Sequence, residues 1–298
     1  GAIADHMDRR KGFLLLFTSL GVAMTGALHF VAAGEWQLAA LCYVLAVLGF
    51  SGGNLFYDSL LVFVARPERW DRVSALGFAL GYLGGGVLFA FNVLMVLNPA
   101  WFGLTDAAAA VRISFLTVAV WWALFSIPVL IGVHETRSPT PTRLRHALRD
   151  GFGQLRRTLR EIGRLPQTFL FLLAYWLYID GVDTIVRMAV DYGLSLGFPS
   201  NSLITALLIT QFVGFPAALA FGRIGERIGA RRGILIALGV YILVTAWGAF
   251  MDQVWEFYLL AAVIGLVQGG VQSLSRSLYA RLIPPHRSAE FFGFYNML

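Results

Sequence analysis

Charge is what this sequence has least of. Asp, Glu, Lys and Arg make up 13% of its 298 residues against 58% hydrophobic, and mean hydropathy is +0.70. That leaves too little polar surface to cover a water-soluble globule of this length, so an ordinary soluble domain is excluded and the chain is assigned to lipid. Cysteine is nearly absent: one residue, Cys42, excludes an internal disulfide and any Cys-rich metal centre. Long alternating strands of the kind that close into a barrel are also missing, so the backbone is expected to satisfy its hydrogen bonds in helices. Intramembrane catalysis lacks its parts. His6, His134, His146 and His286 fall in expected cytoplasmic segments, His29 lies near an outer helix end, and no H-x-x-x-H metal pair occurs. No enzyme, metal or cofactor is expected.

What the chain does have is apolar runs of the length a bilayer needs, about 20 residues each. Eight helical spans are expected near 13–33, 38–64, 73–97, 113–133, 168–194, 203–221, 234–251 and 257–283, and a ninth run opens at Phe291. The positive charges test the threading, because they collect in cytoplasmic loops. With the N-terminal string cytoplasmic, the alternate loops hold 20 of the 23 Lys and Arg, while the opposite loops are acidic or neutral. Arg112 then sits at an outer helix end, and Arg187 and Arg276 fall inside spans. The net charge of +6 thus reports orientation and contact with anionic lipid rather than nucleic acid.

Two strings recur. GAIADHMDRRKG (Gly1 to Gly12) returns as GRIGERIGARRG (Gly222 to Gly233), with Gly1/Gly222, Ile3/Ile224, Arg10/Arg231 and Gly12/Gly233 identical and Asp5 matched by Glu226. SGGNLFYDSL (Ser51 to Leu60) is echoed by QGGVQSLSRSL (Gln268 to Leu278) with one insertion. Six spans separate each string from its copy, which is the mark of a duplicated architecture. The polar stretch 134–166 divides the halves, giving an expected organisation of 1–133, a cytoplasmic linker 134–166 and 167–298. Within the linker Leu144, Leu148, Phe152, Leu155, Leu159 and Ile162 form one apolar stripe opposite a basic face, suited to a helix lying in the membrane surface. Gly151 and Gly153 weaken it. With no initiating Met, and with repeat features cut at both ends, the chain reads as incomplete.

The repeated string resembles the loop G-x-x-x-D-x-x-x-R-R that each six-helix half of the major facilitator superfamily carries between its second and third helices. The resemblance implies an all-α polytopic bundle of two halves, here covering family helices 3 to the start of 11. The chain departs from the loop pattern at His6 and at Asp8, where the second copy keeps Arg227 and Gly229. NLFYDSLL, RVSALGFALGYLGGG, DGVDTIVRMAVDYG and GGVQSLSRSLYARLIPP, in that order, are similar to the branch containing bacterial permeases of unassigned substrate and fungal vacuolar amino-acid effluxers linked to autophagy. That resemblance implies a monomeric secondary transporter in a bacterial inner membrane, moving a small organic solute by alternating access, with amino acids the fungal branch's proposed cargo and protons a candidate coupling ion. A multidrug-type exporter and a non-transporting sensor on the same fold are the alternatives.

Polar groups inside spans are costly and ask for a partner, a cavity or a task. Asn54, Tyr57 and Asp58 lie in the second span, Asp180, Asp183, Arg187 and Asp191 in the fifth, and Gln268, Gln272 and Arg276 in the eighth. Steps of 3 and 4 place each set on one helical face, where it can line an aqueous cavity or anchor helix packing. The resemblance makes these family helices 4, 7 and 10, which line the family's cavity. Asp183 and Arg187 are spaced for an ion pair. Asp180 is the better proton carrier, its carboxyl expected to be raised by burial. The internal repeat sets Asp58 opposite Arg276. Gly77, Gly81, Gly84, Gly85 and Gly86 form a small-residue packing surface similar to an antiporter signature, with Tyr82 in place of its proline. The repeated loops, with Asp5, Arg9, Arg10, Glu226, Arg231 and Arg232, are expected to act as gating latches, Asp5 near Ser288 at the start of one helix and Glu226 near Asp71 to Ser74 at the start of another.

Overall fold

A computed structural model describes residues 1–7, 9–133, 158 and 165–297; the expected linker helix and Asp8 lie outside the described residues. Within these, eight helices are long and apolar enough to cross a membrane, from Arg10–Phe30 to Val254–Leu282, one for each expected span. The chain forms two compact units that do not follow its order. The first gathers 1–64, 88–161 and 284–297, the second 65–87 and 162–283. They differ from the expected halves in two segments: 65–87 packs with the C-terminal half of the sequence, and 284–297 packs with the N-terminal half.

The first unit contains α1 (Ala2–Met7), α2 (Arg10–Ala27), α3 (Trp36–Ser59), α4 (Leu61–Val64), the end of α5 (Trp70–Leu97), α6 (Ala107–Gly132) and α11 (Ser288–Tyr295). Helix α2 packs on α3 and α6, and α11 lies against α3 and α1. Phe56 stacks on Phe13 and Phe17 at 5.4 and 5.9 Å, and Ala4, Leu14, Phe56, Leu60 and Ala289 form a shared core. The span expected to run unbroken over 38–64 is interrupted at Leu60. The Ser59 hydroxyl donates to the Phe56 carbonyl at 2.7 Å, and Leu60 N–H turns to Tyr57 O and Asp58 O. A side chain that competes for a helix carbonyl in this way favours a tightened turn.

The second unit contains the start of α5, α7 (Pro166–Ser195), α8 (Ser200–Ile228), α9 (Ala230–Gly248) and α10 (Val254–Leu282). Helix α10 is central. It packs along α8 and α9 and touches α7, and from Val267 to Ala280 nearly every residue is buried. Two helices meet head to tail at Gly229, whose φ of 87° is a backbone conformation that suits glycine. This is the position where the first copy of the repeat carries Asp8.

Candidate functional site

Each unit contains a polar clamp on a helix start lent by the other half of the sequence. In the first, the Asp5 carboxylate accepts from the backbone N–H groups of Glu290 at 2.7 Å and Ala289 at 3.3 Å, the open donors at the start of α11. Arg10 closes the arrangement. Its Nη2 lies 2.6 Å from Asp5 Oδ1, with both side chains under a tenth exposed. It also donates to His286 O at 3.1 Å and sits over the Phe63 ring. Glu290 pairs with Arg287 at 2.9 Å, and Lys11 donates to Val133 O. Burial pushes the Asp5 carboxyl above its ordinary value, opposed by Arg10 and the two amides.

The second clamp is built differently. Asp71, in the first turn of α5 and 5% exposed, takes Arg281 of α10 bidentately at 2.8 and 3.1 Å and accepts from the Ser277 hydroxyl. Arg281 also donates to Pro67 O at 3.2 Å. One turn along, Ser74 Oγ donates to Ser273 O at 2.7 Å, while Arg276 donates to Ser74 Oγ and Ser74 O, both at 2.9 Å, and lies over the Phe78 ring. The repeated loop contributes its glycines here. A Cβ on Gly222 would come 2.6 Å from Ala75 Cβ, too close for a side chain against α5, and one on Gly225 would come 2.5 Å from Leu274 Cδ2 of α10 and 3.2 Å from Asp71 Cβ.

The loop carrying Glu226 lies at the start of α5 as expected, through Gly222 and Gly225, but the bonds there are made by another acid. Glu226 is exposed, and the start of α5 is served by Asp71 instead. A second carboxylate beside Asp71 would be repelled, since it would face a like charge at short range. Arg231 and Arg232 are exposed, as is Arg9, whereas Arg10 is buried. The two copies match in backbone approach and differ in where the charge sits.

The polar stripes divide in the same way. Asp58 is buried and accepts from Asn296 Nδ2 at 3.2 Å; Asn54 is half-buried and Tyr57 exposed. Asp58 and Arg276 belong to different units, and each holds hydrogen bonds inside its own. Asp183 and Arg187 form the expected pair at 3.5 Å with exposed side chains. Asp180, expected to be buried, is exposed, as is Asp191, because Ile179 and Val182 occupy the buried face of α7. Gln272 accepts from the Tyr82 hydroxyl at 3.0 Å, and Gln268 is buried.

Helices α7 to α10 line a half-open cavity of about 650 Å³, which Asp191 of the α7 set borders among mainly apolar side chains such as Ile185, Met188, Leu207 and Ile264. Asp71 and Ser74 were expected only as the place Glu226 approaches, and Ser277 and Arg281 carried no expected role. One signal was present: Pro67 followed by an acid four residues on, ahead of an apolar run, marks a helix start. The string Gly193 to Gly197 spells G-x-S-x-G. It ends a helix rather than turning from strand to helix, and its Ser195 hydroxyl donates to Tyr192 O at 2.7 Å, so it does not form a nucleophile elbow.

Comparison with known proteins agrees with this architecture. A family described as "Vacuole effluxer Atg22 like" matches residues 1–70 and 63–298. An uncharacterised MFS-type transporter of Bacillus subtilis, YxiO, is 38% identical over 302 residues, covering the whole of this chain and 69% of the relative. Autophagy-related protein 22 of Coccidioides immitis is 23% identical over 99% of the chain and 61% of its own length, and that of Neurospora crassa 29% identical over 98% of the chain and 51% of its own. The chain thus spans roughly half to two thirds of the length of these relatives. With a family match running from its first residue to its last, the chain belongs to the family described as "Vacuole effluxer Atg22 like".

Proposed function

We propose that the protein is a secondary active transporter that moves a small organic solute across a membrane by alternating access, and that its two clamps hold the cytoplasmic side shut. The observation that carries this reading is the exchange of helix starts. Each half of the sequence donates one, α5 or α11, to the compact unit of the other half, and each donated start is held by ionic hydrogen bonds near Arg-rich loops. Bonds of this kind between segments from the two halves must break and re-form when a pathway opens.

Under this reading the exposed carboxylates of α7 line the pathway, with Asp180 the candidate for proton exchange. An amino acid is a solute class consistent with the fungal relatives, and the positive loops favour a bacterial inner membrane. The test is counterflow of a panel of labelled solutes by the complete protein in proteoliposomes. Saturable exchange of one solute is the expected result. Absence of flux for every solute in a folded protein would favour a sensor.

A further inference from the structure

One residue of the stretch between the halves reaches the first clamp. Thr158 is fully buried and belongs to the first unit, where its hydroxyl stands between the partners of an ion pair: it donates to Glu290 Oε1 and accepts from Arg287 Nη2. Arg287 Nε holds the other carboxylate oxygen, Oε2, at 2.9 Å, and the Glu290 side chain is 1% exposed. The carboxylate is thus gripped from two directions, by Arg287 at the start of α11 and by Thr158. A hydroxyl has one hydrogen to give and lone pairs to accept with, so a single oxygen serves both charges. Glu290 also gives its backbone N–H to Asp5 at 2.7 Å. The residue that Thr158 holds by its side chain is therefore the one that Asp5 holds by its backbone.

Burying an ion pair is worthwhile only where further hydrogen bonds satisfy its remaining atoms, and at Glu290 Oε1 that further bond comes from Thr158. Fixing Glu290 in the first turn of α11 also fixes the N–H groups that Asp5 receives. We propose that Thr158 is a strap: it ties the stretch between the halves to the start of α11, and the first clamp opens only when Thr158 withdraws from between Arg287 and Glu290. Seven residues separate Thr158 from Pro166, where α7 begins, a tether of about 26–29 Å at full extension. The strap thereby joins the first clamp to a helix of the second unit, and a pull on the tether withdraws Thr158. Its use as part of a gate rests on the transport reading; the contact itself does not.

The test is maleimide labelling of Ala289→Cys in a Cys42→Ser background, on the complete protein in nanodiscs, where both faces are open to reagent. Ala289 is fully buried beside Glu290, so its thiol reports release of α11. Thr158→Val keeps the shape and removes the hydroxyl, and the loss of bonds to charged groups should raise the rate about tenfold. Thr158→Ser keeps the hydroxyl and should keep the slow rate, a rescue that space-filling alone does not give. In a Glu290→Gln background the valine change should add little, because both act on one network. A wild-type rate in Thr158→Val, or equal rates in the serine and valine variants, overturns the strap. The tether is tested by cleavage at a protease site inserted after Gly163, which leaves Thr158 in place. Asp71→Asn, which frees the second clamp, should raise Ala289→Cys labelling before the cut and no longer raise it afterwards; a rise that survives the cut overturns transmission through the tether. All of these rates are read without flux, so the strap stands or falls apart from the transport reading, which counterflow tests.

Discussion

Replacing Asp71 by Asn tests the second clamp where it is strongest. The carboxylate is buried and makes two charge-assisted bonds to Arg281 besides the one from Ser277. Breaking a fully buried pair by removing one partner costs about 3–5 kcal/mol. Here Arg281 is 32% exposed and can turn to water, which pulls the figure toward the exposed-pair limit of about 1 kcal/mol. An intermediate cost of about 1.5–3 kcal/mol corresponds to a shift of roughly 10- to 150-fold in the equilibrium between clamped and released α5. Ala79, fully buried against Tyr82 and Ala218, is a suitable reporter. In a Cys42→Ser background, Ala79→Cys should react with a membrane-impermeant maleimide in proportion to the released population. The labelling rate should rise by that factor in Asp71→Asn, and a cycle with Arg281→Gln should be strongly non-additive. An unchanged rate, or additive effects, would refute the clamp.

Three further outcomes follow from the same geometry. Gly222→Ala sets a Cβ against Ala75 and should release α5 at a cost of about 1–3 kcal/mol; Ala75→Gly should restore slow labelling, and failure to rescue would remove close approach as the cause. Because burial raises the Asp5 carboxyl above its ordinary 3.8, docking of α1 on α11 gains stability from the protonated form. That gain is complete below 3.8 and is lost as pH rises through the raised value; the labelling rate of a cysteine at Ala289, divided by its rate in Asp5→Asn to remove the thiol's own pH dependence, should follow this course, and a ratio constant with pH would count against it. Finally, if protons drive transport, Asp180→Asn should abolish accumulation against a gradient while sparing exchange; wild-type uptake indifferent to an imposed pH gradient would count against proton coupling.

The spans were legible because about 20 apolar residues bounded by arginine loops have few other structural solutions. The approach of Asp5 to α11 was legible too, since a repeated acid ahead of a helix start has an electrostatic reason to be there. Its counterpart was not. The repeat suggested that Glu226 would do what Asp5 does, but the second helix start already carries its own acid at Asp71, and a pattern of identities does not show which of two nearby carboxylates takes the donors. Nor did spacing reveal the bond from Tyr82 to Gln272. A tyrosine within an apolar run reads as one more aromatic, and only the fate of its hydroxyl sets it apart. The break at Leu60 escaped notice for a similar reason, as it accompanies a bond from the Ser59 hydroxyl to its own helix's backbone that no spacing announces.

The most direct test of the account places flux and clamp in one preparation: counterflow of the labelled solute and maleimide labelling of Ala79→Cys, measured on the same proteoliposomes with and without saturating solute. If the clamps gate a transport pathway, solute should change the labelling rate over the concentration range that saturates flux, and Asp71→Asn should raise labelling and uncouple it from solute. Labelling that ignores solute while flux continues would contradict the claim that these helix starts open and close the path.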